Sequence, residues 1–221
     1  MIILGVNLRR TSRHVLLQIM ISSTVALGRN ESESDSDFVD IKNVDKTIVI
    51  ELRYASPNNV TGNPLYPPGT PAMVRAGVAR RLAVVQQYLR KKGYGLKIWD
   101  AYRPQSAQEK LWKFTHNRSF VADPKEGRGS MHIRGAAVDA TLVDASGADL
   151  PMPTDFDSFT PAAMLEYSGR NAIVLGNLKI LQKGMAHGGF YGLRTEWWHF
   201  CVPDWKKFDP VPELKVETSS R

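Results

Sequence analysis

The spacing of apolar residues changes period several times along the chain, and each change marks an element. Phe38-Val39-Asp40-Ile41 and Thr47 to Leu52 are rich in β-branched residues and bounded by polar positions, which predicts two strands before the turn-rich Ser56-Pro57-Asn58-Asn59. Thr70-Pro71 then reads as a helix start, because Val74, Val78, Leu82, Val85 and Leu89 recur at spacings of four, four, three and four. Gly93 ends that helix, and Leu96 to Asp100 alternates as a strand, leaving Arg103 just past its end. Ser106 with Glu109 resembles a capping box and predicts a short helix that carries Leu111, Trp112 and Phe114 toward the core. Val138 to Val143 alternates around Asp139, Ile173 to Lys183 reads as a helix stopped by Gly184, and Thr195 to Cys201 reads as a last strand. This order predicts an α+β single domain with a mainly antiparallel sheet flanked by helices.

The two ends depart from that pattern. Arg9, Arg10 and Arg13 precede an apolar run from Val15 to Leu27 and the small residues around Gly28, so residues 1–28 read as a secretory signal, too short and too diluted by Ser and Thr to span a membrane. Residues 29–37 (RNESESDSD) are acidic, lack an apolar anchor and read as a solvated linker; residues 38–212 are the domain and residues 213–221 a tail. The leader implies a periplasmic or secreted protein with no stable membrane association once it is removed, and a cytoplasmic one if it is not functional.

Composition changes little. The net charge of +7 falls to +4 without the three leader arginines, and Arg80, Arg81, Arg90, Lys91 and Lys92 fit a solvated helix face; no motif points to nucleic acid. Cys201 stands alone, which excludes an intrachain disulfide and a cysteine-based zinc site, so any metal must be held by histidines and carboxylates.

Two clusters offer such ligands. In Ser130-Met131-His132-Ile133-Arg134-Gly135-Ala136-Ala137-Val138-Asp139 a tight turn could bring His132 and Asp139 to one ion. A catalytic zinc takes three protein ligands and keeps one position open, and His199 in Glu196-Trp197-Trp198-His199 is the natural third. Glu196 could accept a proton from water at that ion without binding it, provided the strand bends, since residues three apart on a regular strand face opposite ways.

Together these motifs resemble the D-alanyl-D-alanine dipeptidases of the vancomycin-resistance type, within the zinc D,D-peptidases that share Ser-x-His-x-x-Gly-x-Ala-x-Asp and a later Glu-x-Trp-His. The resemblance runs from about Phe38 to Asp204 and includes Leu52-Arg53-Tyr54-Ala55-Ser56-Pro57-Asn58-Asn59-Val60-Thr61-Gly62 and Trp99-Asp100-Ala101-Tyr102-Arg103-Pro104. It implies one zinc per chain on His132, Asp139 and His199, Glu196 as general base and Arg103 as the group that steadies the oxyanion. Met152-Pro153-Thr154-Asp155-Phe156-Asp157 is similar to the family's Met-x-x-x-Phe-Asp, so Asp157 would pair with the substrate's free ammonium, although Ser158 to Met164 lacks the Ser-His pair that often follows. Ser130 and Tyr54 carry hydroxyls that either help hold the substrate or serve the local structure. The implied reaction is zinc-dependent hydrolysis of a small dipeptide, D-alanyl-D-alanine. Its rivals are a D,D-carboxypeptidase trimming peptidoglycan stems and a zinc-stabilised wall-binding module. His116 and His187 match no ligand position.

Overall fold

The apolar stripe that begins at Val74 belongs to two elements. In the computed structural model, which describes residues 34–125 and 129–214, the chain runs β1 (Phe38–Asp40), α1 (Ile41–Val44), β2 (Val49–Ile50), β3 (Met73–Arg75) and α2 (Ala76–Arg90). Val74 therefore sits in a strand that pairs antiparallel with β1, opposite Val39, and the helix starts at Ala76 rather than at Thr70-Pro71. A buried valine suits a strand as well as a helix, and pairing with β1 decides between them.

After α2 come β4 (Tyr94–Asp100), α3 (Gln105–Thr115), β5 (Ala137–Asp144), α4 (Ala172–His187), β6 (Tyr191–Leu193) and β7 (Glu196–Cys201). The main sheet has the order β2-β4-β5-β7-β6, parallel between β2 and β4 and antiparallel elsewhere, so the expected α+β fold with a mainly antiparallel sheet is observed. Leu82, Val85 and Leu89 of α2 join Leu178, Leu181 and Met185 of α4 and Leu96, Ile98, Ala140 and Leu142 of the sheet in one core.

Several local signals work differently from their sequence reading. Pro104, not a serine, caps α3, and Ser106 lies inside the helix, so no capping box forms; Phe114 is exposed rather than core. Gly184 does not stop α4, which continues to His187. A Cβ there would lie 2.8 Å from Leu89 Cδ2, so the missing side chain lets α2 and α4 pack closely. His187 stacks on Tyr88, and His116 caps α3 in a left-handed conformation. Residues 34–37 of the acidic segment stay exposed while Asp35 and Asp37 carbonyls accept from the first turn of α2; the leader lies outside the described residues. Among the described residues no helix is long and apolar enough to cross a membrane.

Two irregularities in the main sheet position the polar residues. Ile98 pairs with Ala140, but Asp100 pairs with Asp139, so a bulge at Trp99 moves Asp100 off the face it would share with Leu96 and Ile98. Asp139 in turn pairs with His199, which lines Asp100, Asp139 and His199 across three neighbouring strands on one face. In the β6–β7 hairpin Gly192 pairs with Phe200 whereas Leu193 pairs with Glu196, so β7 bends over Trp197 to His199. That bend is what the Glu196 and His199 spacing requires.

Candidate active site

His132 occupies a 3-10 turn, His132–Arg134, closed by Gly135 at φ +65°, a conformation that favours glycine. The turn feeds directly into β5, so His132 faces Asp139 across a short reversal. Three atoms converge: His132 Nε2 lies 3.2 Å from His199 Nδ1, His199 Nδ1 3.0 Å from Asp139 Oδ1, and His132 Nε2 3.4 Å from that same oxygen. All three side chains are buried.

Protein hydrogen bonds satisfy that triangle only in part. His132 Nδ1 lies 2.7 Å from the Ala101 carbonyl and donates to it, which leaves a lone pair on Nε2. The Asp139 oxygen also brings lone pairs, so only His199 could place a proton among the three atoms. The spacing matches instead the edges of a tetrahedron, about 3.3 Å, around an ion bonded at ~2.05 Å. The donor set could therefore hold a metal ion, as two imidazoles and a carboxylate suit a divalent cation.

Electrostatics point the same way. Buried around the triangle are four carboxylates, Asp100, Asp139, Asp157 and Glu196, against one guanidinium, Arg103. Burial would raise Asp139, but His132 and His199 pull it far below the usual carboxylate range; burial would lower His199, but the Asp139 hydrogen bond and charge push it up to about 10. Glu196 Oε2 lies 3.8 Å from His199 Nδ1, and burial pushes its carboxyl up to about 8 against the lowering effect of His199.

Asp157 is delivered from a loop pinned by Phe156, whose ring packs edge-on against Tyr54 and Trp198 and at a tilt against Trp99. Its own backbone is left-handed at φ +57°, a conformation that aspartate tolerates better than most residues. Tyr54 donates its hydroxyl to Asp157 Oδ1 at 2.9 Å and Val60 its N–H to Oδ2 at 3.1 Å. Burial pushes this carboxyl up to about 7. Tyr54 thus holds Asp157, while Ser130 Oγ accepts from the His132 N–H at 3.2 Å, so both hydroxyls have structural work beside any contact with substrate.

All eight residues singled out in the sequence line one cavity of about 100 Å³. Its other walls are largely apolar, including Leu111, Trp198, Leu193 and the stacked pair Phe120 and Phe159. Sequence reasoning missed Asp100 and Gln108, the buried partners of the Arg103 guanidinium. The signal available was Asp100 three residues before Arg103, but without the bulge nothing marks it as facing the site.

A family model described as Peptidase M15, D-Ala-D-Ala dipeptidase, matches residues 34–217. The chain is 33% identical over 168 residues to the D-alanyl-D-alanine dipeptidase of Escherichia coli (strain K12), covering 76% of this chain and 86% of that one. It is 28% identical over 182 residues to the D-alanyl-D-alanine dipeptidase of Enterococcus faecalis (strain ATCC 700802 / V583), covering 74% and 88%. Among solved structures, VanYB in complex with D-alanine-D-alanine aligns with a TM-score of 0.39 at 14% identity, covering 63% of this chain and 76% of that one. The extent of the family match and the identity to the Escherichia coli enzyme establish that the chain is a peptidase belonging to the D-Ala-D-Ala dipeptidase family.

Proposed function

We propose that this peptidase is a zinc-dependent dipeptidase that hydrolyses D-alanyl-D-alanine and related D,D-dipeptides to free D-amino acids. The observation that carries the reading is Asp157. It is a buried carboxylate on the cavity wall whose two hydrogen bonds come from neutral donors, Tyr54 and Val60, and it has no ion pair among the described residues. A free ammonium would supply the missing charge, whereas an acylated amine would leave the carboxylate buried and uncompensated. That favours a dipeptide over the stem peptide that a D,D-carboxypeptidase trims.

His132, Asp139 and His199 would hold the zinc, one ion per chain. Zinc bound there supplies Lewis acidity, polarising the scissile carbonyl and lowering the pKa of the attacking water. Glu196, beside His199 but outside the donor triangle, accepts the proton from the attacking water and returns it to the leaving amine nitrogen. Arg103 donates to the oxygen on which negative charge develops. Asp157 fixes the ammonium end, and the apolar wall around Trp198 limits water around the reacting amide.

The test is to load the protein with zinc, measure bound metal, and offer D-alanyl-D-alanine and a stem pentapeptide while following release of D-alanine. The reading expects about one zinc per chain, loss of that zinc in His132→Ala, and turnover of the dipeptide far above that of the pentapeptide. Preferred turnover of the pentapeptide, or full zinc retention in His132→Ala, would overturn it.

A further inference from the structure

We infer that Asp100 is a positioning residue: it fixes the guanidinium of Arg103 in place before substrate arrives. The inference rests on the reading of Arg103 as the oxyanion donor. Asp100 is fully buried, and its Oδ2 accepts from Arg103 Nε at 2.9 Å and pairs with the charged Nη2 at 2.8 Å. Its Oδ1 takes the Tyr66 hydroxyl at 2.7 Å, which fixes the carboxylate in turn. On the other side Gln108 Oε1 takes Arg103 Nη1 at 2.9 Å, and Gln108 is itself tied by Nε2 to the Ala122 carbonyl at 2.7 Å. The Tyr54 ring lies 4.8 Å from the guanidinium carbon.

Counting donors shows what this cradle leaves over. A guanidinium carries five N–H groups. Of these the Nε N–H goes to Asp100 and one on Nη1 to Gln108, and Nη2 is held as an ion pair against Asp100, so the groups left over lie on the two terminal nitrogens. Nη2 also lies 3.5 Å from Asp139 Oδ2, and Arg103 lines the cavity, so the uncommitted edge belongs to the side where the reaction takes place. An arginine side chain has several rotatable bonds. Without Asp100 its tip would sample positions away from the developing charge, and a displacement of about 1 Å can cost on the order of 10²-fold in rate.

The fold places Asp100 there through the bulge at Trp99, since regular alternation would have put it on the face of Leu96 and Ile98. The same turn also serves the metal side: Ala101 accepts from His132 Nδ1, and the Arg103 N–H reaches the His132 carbonyl at 3.3 Å. Residues 100–103 therefore set the oxyanion donor and one ligand histidine from a single backbone segment.

The experiment uses the zinc-loaded full chain with D-alanyl-D-alanine and compares Asp100→Asn, Tyr66→Phe, Arg103→Ala and the two double variants with Arg103→Ala. Asp100→Asn is expected to lower kcat by about 10- to 100-fold, with KM within about 3-fold and bound zinc unchanged. Tyr66→Phe removes the hydroxyl that holds Asp100 and borders the Arg103 guanidinium, leaves the Asp100–Arg103 ion pair in place, and is expected to lower kcat by about 2- to 10-fold. In the Arg103→Ala background each change should cost less than about 2-fold, because the group they position is gone. Should Asp100→Asn fail to fold, Tyr66→Phe and its double variant decide the matter alone. Equal losses with and without Arg103, or unchanged kcat in the single variants, would overturn the inference. A wild-type kcat in Arg103→Ala would overturn the oxyanion assignment itself, and the inference with it.

Discussion

The cavity gathers a His–Asp–His triangle, Glu196 beside it and Asp157 on its wall. His132, Asp139, Glu196 and His199 stand in two short motifs, and the structure brings them into one cavity. Asp100 and Gln108 escaped notice because a buried carboxylate and amide acquire meaning only from what they touch. Glu196→Gln preserves shape and removes the proton acceptor, so bound zinc should be unchanged while kcat falls by about 10²–10⁴-fold; stopped assays with metal analysis check this. Asp157 gives a prediction in pH. Its carboxyl is raised to about 7, so it is charged above that value and neutral below it. KM for D-alanyl-D-alanine should therefore rise as pH falls through about 7, where the ammonium loses its partner, and Asp157→Asn should flatten that rise. A KM profile that is the same in both proteins would remove Asp157 from ammonium recognition.

At the scale of elements, alternation and helical period identified the sheet strands β4, β5 and β7 and the helix α2, because each buries a continuous apolar face. Boundaries were harder to read where two structures satisfy the same pattern. Val74 fits the helical stripe of α2, yet β1 claims it; Ser106 and Glu109 have capping-box spacing, yet the fixed backbone of Pro104 starts the helix first. Gly184 shows how a stop signal can be a packing device. The paired substitutions Gly176→Ala and Gly184→Ala test this on one helix. At Gly176 an added Cβ meets nothing within 4 Å, so alanine should stabilise by about 0.5–1 kcal/mol through helix propensity. At Gly184 the same carbon would lie 2.8 Å from Leu89 Cδ2, and overpacking of about 1–3 kcal/mol should outweigh that gain. Urea unfolding of the two variants should move midpoints in opposite directions; equal stabilisation would show that the helices do not need the close approach.

Residues 34–125 and 129–214 form an α+β domain in which a bulge and a bent strand gather the charged groups of the site on one face of the main sheet. Fold class was legible because the order of elements is encoded in local pattern. The two sheet irregularities were not, since pairing register depends on strands distant in sequence. If residues 1–28 are a secretory signal, the exported protein should begin near Arg29, which mass spectrometry of the native product would show. An intact Met1 on the active protein would argue for a cytoplasmic one.

If the buried Asp157 carboxylate demands a free ammonium, this peptidase selects its substrate by the charge on the amine. The most direct measurement is kcat/KM for D-alanyl-D-alanine and for its N-acetyl derivative, on zinc-loaded wild type and Asp157→Asn. A charge-assisted bond contributes about 1.5–3 kcal/mol, so wild type should prefer the free dipeptide by roughly 10- to 100-fold or more. Asp157→Asn should lose most of that preference by turning over the free dipeptide poorly, with the N-acetyl substrate little changed. A preference that survives in Asp157→Asn, or a wild type that accepts both substrates equally, would mean that Asp157 does not select the free dipeptide.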